Sequence, residues 1–433
     1  MNLYLSRVRL PESDVNSRLL LKNPKRQAGK GHDLFAGADW VWRGMRRPVA
    51  PIETFALPLG DGLVLRQPGK DRLVVLNATG KTVWDLLRAG LAQNEIATAF
   101  ARHFGLPFEQ ASADVATVIA GLNEAQLSDL DPPGGTGAIP MSAAALPHSS
   151  MAQSGPNVDC GAFRFGNRLV RVLSSVPDVG SDYFSRFRHR AAVEAADADV
   201  LELSRDPSGG YRLTFGREIV AKVDSLSDLV GRTNEFLLSW EHPEVDFLAY
   251  FHAAAVGRAE RTILLPGVSG DGKSTLVAYL ASRGFTYLSD DLIAMAATDW
   301  SLRPLPTCLS IKSGSWSILE ALYPQLANSP TVQCHGRAVR YVEPTETSDS
   351  AGAPSVILFP RYAKDGGDHL GSLTPLQTMA RLLEANTDLD EPATEAKVAE
   401  FLRFVETTPA YELSYSDLPS ALNAIERLLE NEA

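Results

Sequence analysis

The sequence predicts an α/β protein, with a phosphate-loop core in the C-terminal two-thirds, a strand-rich lobe ahead of it, and a small winged-helix-like α+β unit before both. Three observations predict this. Residues 267–274 read Gly-Val-Ser-Gly-Asp-Gly-Lys-Ser, the pattern G-x-x-x-x-G-K-[ST], placed after the apolar run 263–265 and before helical spacing at Leu276, Tyr279 and Leu280. Short alternating runs separated by turn residues fill 160–250, as half-buried strands do. Between 50 and 130, two or three strand patterns precede three amphipathic helical patterns.

Composition narrows the class of molecule. The 433 residues suffice for two or three domains, and 45% hydrophobic with 21% charged residues excludes a disordered chain. A net charge of −11 argues against a nucleic-acid partner. Cys160, Cys308 and Cys334 are far apart and in no metal-ligand spacing, a reduced, intracellular pattern with no disulfide frame. No run approaches 18 apolar residues and no signal-peptide core opens the chain, so the expectation is a cytoplasmic protein with no membrane partner.

In order along the chain, residues 1–49 read as a basic arm: 1–48 hold ten Lys or Arg against four acids, either a solvated, partly ordered extension or an arm that attracts an acidic peptide or nucleic acid. Residues 50–130 read as a separate unit. Gly60-Asp61-Gly62 is a hairpin signal, 73–77 a further strand, and Thr79 the expected cap of a helix carrying Val83, Trp84, Leu86 and Leu87. Ile96, Phe100 and Phe104 mark a second helix, ended by Gly105, and Val115, Val118, Ile119 and Leu122 a third. Trp84 is expected in the core. Residues 131–158, rich in Pro, Gly, Ala and Ser, read as a flexible linker, and 159–433 as the catalytic domain.

The order Leu76-Asn77-Ala78-Thr79-Gly80, Val83-Trp84, Leu86-Leu87, Glu95-Ile96-Ala97, Phe104-Gly105 and Asp114-Val115 resembles the PqqD family, the recognition modules of ribosomally made, modified peptides. The resemblance implies that 50–130 bind the leader of a precursor peptide as an added strand on a sheet edge.

The glycine-rich stretch carries its own chemistry. Backbone N–H groups of Gly267, Ser269, Gly270, Asp271 and Gly272 can turn inward around phosphate oxygens, and the following helix presents its positive end through Ser274 and Thr275. Lys273 is expected to reach the β- and γ-phosphates of a nucleotide, and the Ser274 hydroxyl to ligate Mg²⁺. Asp290 and Asp291 follow Lys273 by 17 and 18 residues at a strand end, where one acid can face metal and the other accept a hydroxyl proton. His252 precedes Lys273 by 21 residues.

His252, the glycine-rich loop, Arg283-Gly284 and Asp290-Asp291 together resemble the core of HPr kinase/phosphorylase and its related kinases. This second resemblance implies an HPr-kinase-like catalytic domain, with Asp290 as base, Asp291 as the metal-side acid, His252 as their partner, and a homo-oligomer. The family's later glutamate signature is not recognisable. Residues 304–314 stand near its place, which puts phosphorylase activity and HPr as substrate in doubt. Lys312-Ser-Gly and Phe359-Pro-Arg361-Tyr resemble segments of the related kinases, so Lys312 and Arg361 are candidates either to clamp phosphate or substrate or to form surface ion pairs. Together the two resemblances imply an ATP- and Mg²⁺-dependent Ser/Thr kinase acting on a bound precursor peptide. A small-molecule kinase with a regulatory N-terminal unit, and a nucleotide-gated peptide binder without transfer, are the alternatives.

Overall fold

The computed structural model describes residues 55–66, 73–125, 127, 157–193, 196–268, 270–305, 307–334, 337–364 and 366–431. The basic arm and all of the expected linker except 157–158 lie outside the described residues.

Strands β1 (Phe55–Leu59) and β2 (Gly62–Arg66) form an antiparallel hairpin with Phe55 opposite Arg66, and β3 (Leu73–Leu76) extends it in the order β1-β2-β3. Helix α1 (Ala78–Arg88) is capped by Asn77 and not by Thr79. The Asn77 Oδ1 accepts the Gly80 N–H at 2.9 Å, because Asn77 lies just outside the first turn where a short side chain can fold back; the Thr79 hydroxyl donates to the same oxygen at 2.7 Å. Helix α2 (Gln93–Phe104) ends at Gly105, whose φ of 66° is the left-handed value that stops a helix, and α3 (Phe108–Glu124) follows.

This unit buries both faces of its sheet. Leu63, Leu65, Val74 and Leu76 pack under the helices with Val83, Trp84, Phe100 and Val118, so Trp84 is core as expected. Leu59, Val64, Leu73 and Val75 alternate to the opposite face, where they share a cluster with Leu376, Met379 and Phe401 of the C-terminal region. The unit keeps its own core beneath its helices, and its second apolar face is satisfied by the rest of the chain. Arg66, buried, adds an ion pair to Glu391 at 2.6 Å and a hydrogen bond to the Ala393 carbonyl. Glu391 is half exposed, so this pair contributes at most about 1 kcal/mol, whereas each buried aliphatic side chain contributes roughly 1.5–3 kcal/mol. The apolar face holds the unit in place.

The strand-rich lobe is one five-stranded sheet in sequence order: β4 (Val158–Phe165), β5 (Arg168–Ser174), β6 (Asp199–Arg205), β7 (Tyr211–Phe215) and β8 (Glu218–Val223). Between β5 and β6 lie a short helix α4 (Ser181–Phe184) and a 3-10 segment, Ser185–Arg190. Helix α5 (Leu226–Glu241), capped by Ser225 on the Asp228 N–H, closes the lobe with Leu229, Phe236 and Leu237 in its core.

In the remainder, β9 (Phe247–Phe251), β10 (Ala253–Arg258), β11 (Arg261–Pro266), α6 (Lys273–Ala281) and β12 (Thr286–Ser289) come first. Then come β13 (Ile293–Ala296), β14 (Leu302–Pro304), β15 (Leu309–Lys312), α7 (Trp316–Leu319), β16 (Thr331–Cys334) and β17 (Arg337–Val342). Last are β18 (Val356–Tyr362), β19 (His369–Ser372), α8 (Pro375–Glu384), β20 (Thr387–Leu389), α9 (Glu395–Thr407), β21 (Ala410–Tyr415) and α10 (Leu418–Asn431). The central sheet has the order β12-β10-β11-β18-β21-β19, with β11, β18 and β21 parallel. Smaller sheets β14-β13-β9-β20 and β15-β17-β16 flank it.

Alternation along the central strands makes the layers. Ile263, Leu265, Val356 and Leu358 face α6 and α10, while Leu264, Ile357 and Phe359 face α8 and α9. The sheet is covered on both sides, so what its strands leave open is their ends. No helix among the described residues is long and apolar enough to cross a membrane.

Candidate functional site

One edge of the central sheet collects the chemistry. Ala253, the first residue of β10, pairs with Pro266, the last of β11, and Ser289, the last of β12, pairs with Ala255. The antiparallel β10 therefore begins where β11 and β12 end. His252, the loop 267–272 and Asp290-Asp291 are delivered to one place from three stretches of chain. Arg361 and Tyr362 end β18 at the same edge, because β18 runs parallel to β11.

The loop wraps around its own lysine. Gly272 has a φ of 85° and a close neighbour: a Cβ there would lie 2.6 Å from the Tyr415 hydroxyl. Lys273, buried at the first position of α6, donates from Nζ to the carbonyls of His252 and Gly267, each at 3.2 Å. Burial lowers its pKa to about 8, against the pull of Asp291 and Asp290. Asp271 braces the loop from within, accepting the Val268 N–H on Oδ2 at 3.1 Å. Ser274 is half-buried, and the Thr275 hydroxyl shares a 2.6 Å hydrogen bond with Ser315. Ser269 lies outside the described residues.

The two acids differ sharply in setting. Asp290 is buried, and its Oδ1 accepts from the Tyr287 hydroxyl at 3.0 Å and the Thr307 hydroxyl at 3.4 Å, while Oδ2 accepts from the Ser310 N–H. Burial and the charge of Asp291 raise its pKa. Asp291 is a quarter exposed, and its Oδ2 accepts from Arg186 Nη2 at 2.5 Å and Asn234 Nδ2 at 3.1 Å. Burial opposes its charge, but Arg186, His252 and Lys273 outweigh burial and hold its carboxyl well below the usual range. Its Oδ1 faces His252 Nδ1 at 3.6 Å. The His252 ring is open at the rim yet surrounded by dense protein, and burial with the nearby Lys273 charge lowers its pKa.

Lys312, half-buried at the end of β15, adds positive potential at both His252 and Lys273. Arg361 is exposed at the end of β18. Every described member of the expected set except Arg361 is thus linked to Lys273 by chain continuity, hydrogen bonds or charge.

Arg186 and Asn234 were not foreseen. They come from the strand-rich lobe, 105 and 57 residues from Asp291 in sequence. Tyr183 completes the ring, donating to Asn234 Oδ1 at 3.0 Å and accepting from Arg186 Nη1 at 3.2 Å. The only sequence signal was the mixture of arginines and aromatics between 183 and 190, unusual in an acidic chain.

Among the described residues, no group of three or more His, Cys, Asp or Glu can hold a metal by itself. Mg²⁺ usually takes one or two protein oxygens, with phosphates and waters completing the shell. The Asp291 Oδ1, which takes neither the Arg186 nor the Asn234 bond and has His252 Nδ1 at 3.6 Å, and the Ser274 hydroxyl are hard oxygen donors of that kind and fit such a shell.

Residues 62–127 match the family model described as coenzyme PQQ synthesis protein D (PqqD). Among solved structures, the Hpr(Ser) kinase/phosphatase from Coxiella burnetii is similar at 12% sequence identity, over 42% of this chain and 98% of that one, with a TM-score of 0.21. Comparison with curated proteins finds no match.

Proposed function

We propose that this chain is an ATP- and Mg²⁺-dependent phosphotransferase that phosphorylates a Ser or Thr hydroxyl on a precursor peptide held by its N-terminal unit. The observation that carries this reading is the meeting of the glycine-rich loop, buried Lys273, His252 and the two unlike acids at one sheet edge. The match of residues 62–127 to the PqqD family supports the peptide as acceptor.

The loop 267–272 and the start of α6 would cradle the β- and γ-phosphates, with Lys273 leaving its two carbonyl partners to meet them. The acceptor oxygen attacks the γ-phosphorus in line, its proton passes to Asp290, and ADP leaves with the electrons of the broken P–O bond. A carboxylate whose pKa is raised by burial is the better proton acceptor of the two. Asp291, kept anionic by Arg186, would hold the metal through Oδ1, with His252 beside that oxygen at 3.6 Å. When bound, Mg²⁺ neutralises charge on the β- and γ-phosphates. Holding the peptide on the same chain raises the local acceptor concentration to roughly millimolar.

The test is intact-mass measurement of precursor peptides incubated with the protein, ATP and Mg²⁺. One phosphoryl group should be gained, and lost in Asp290→Asn while ATP still binds. Transfer to no peptide, with ATP consumed on a small hydroxyl compound, would replace the peptide by a small-molecule acceptor.

A further inference from the structure

Resting on the phosphotransferase reading, a direction can be assigned to the nucleotide. The acids and His252 belong to β12 and β10, on one side of β11. The reacting γ-phosphate must point that way. The nucleoside must then leave the loop on the other side of β11, over the carboxyl ends of the parallel strands β18 and β21, where open α/β sheets leave a crevice for ligands.

At that place stands Tyr362. It is 47% exposed, one of few large apolar side chains left open among the described residues. Its position is tied to the loop in two ways. Its N–H donates to the Asp271 carbonyl at 3.0 Å, and its ring lies edge-on to Tyr415, with centroids 5.7 Å apart and planes at 60°. Tyr415 is itself fixed, donating its hydroxyl to the Gly272 carbonyl at 3.3 Å. The result is a half-exposed aromatic side chain, held against a second ring and tied by its backbone to the phosphate cradle.

We propose that Tyr362 is the platform on which the purine base of the nucleotide stacks. A flat π-surface anchored beside a phosphate site suits a nucleobase, because every base offers a π-face and none needs a hydrogen-bond code to use it. An acceptor peptide does not fit the same place: its hydroxyl has to reach Asp290, on the far side of the loop. The stack adds affinity and fixes the polarity of the triphosphate, keeping the γ-phosphorus toward the acids.

Equilibrium binding of Mg-ATP and of inorganic tripolyphosphate to the full-length protein tests this. Tripolyphosphate reports the cradle alone; ATP reports cradle plus base. Tyr362→Ala should weaken ATP at least about 5-fold and leave tripolyphosphate unchanged, while Tyr362→Phe, which keeps the π-face, should match the parent. Equal weakening of both ligands would mean loop distortion and overturn the proposal, as would unchanged ATP binding. If the unmodified protein binds tripolyphosphate as tightly as ATP, there is no base subsite, although the cradle stands. If it binds neither, the phosphotransferase reading itself falls and takes this inference with it.

Discussion

Arg186 and Asp291 meet as a 2.5 Å ion pair across 105 residues, joining the strand-rich lobe to the acidic end of β12. The arginine is nine-tenths buried and its ring of partners, Tyr183 and Asn234, is buried with it. The lobe therefore supplies part of the site wall, and the ionisation of Asp291 depends on it.

Arg186→Met should leave a carboxylate without its counter-charge. Removing one partner of a buried pair costs about 3–5 kcal/mol, and the quarter exposure of Asp291 places this case near 2–3 kcal/mol. Denaturant unfolding measures that loss. Turnover should fall at least about tenfold with little change in the KM for ATP, and Arg186→Lys should recover part of it. A purely structural arginine would lower stability without this split between kcat and KM.

Gly272→Ala should abolish nucleotide binding in a protein that still folds. The substitution meets both a φ of 85° and the Tyr415 hydroxyl at 2.6 Å, so the loop must move at the residue just before Lys273. Binding of tripolyphosphate should be lost together with that of ATP, and the circular dichroism spectrum should be unchanged.

Nucleotide affinity should fall as pH rises through about 8. Free Lys273 loses its proton there, and the bound triphosphate favours the charged lysine, so the pKa is higher in the complex than in the free protein. Between those two values binding takes up a proton. Calorimetry at pH 8.5 in buffers of different ionisation enthalpy should register that uptake, which should shrink toward zero at pH 6.5.

Leu376→Ala should loosen the N-terminal unit. Leu376 projects from α8 into the cluster formed with Leu59, Val64, Leu73 and Val75, and its loss should cost about 2–3 kcal/mol. Limited proteolysis should cut more readily within residues 55–66 and 73–125. On the proposed function, peptide phosphorylation should drop more than ATP binding does, because the N-terminal unit would then hold a peptide in no fixed relation to the site.

Much of the site was written in the sequence because its signals are local. A glycine-rich loop needs glycines at fixed offsets, and Lys273, Ser274 and Thr275 follow within one helical turn. The acid pair and His252 were legible through their spacing to Lys273, since short strands bring such neighbours back to one edge. Helices α2, α5, α8 and α9 followed from apolar periodicity, which reflects a single buried face. The cap of α1 was misplaced by two residues, because Asn77 and Thr79 carry equivalent signals and only the start of the helix decides between them.

What the sequence alone determined is therefore the inventory: which segments are strands and helices, and which residues form the candidate set proposed for phosphate and proton chemistry. Tertiary structure decided how that inventory is divided. It placed Asp290 among buried donors and Asp291 against Arg186, giving two adjacent and chemically identical residues opposite pKa shifts. It also turned the second face of the N-terminal sheet onto α8 and α9. Both outcomes depend on contacts between residues dozens to hundreds apart, and no local pattern encodes them. Desolvation and charge pairing act through space, so the electrostatics of the site existed only once the chain had closed around it.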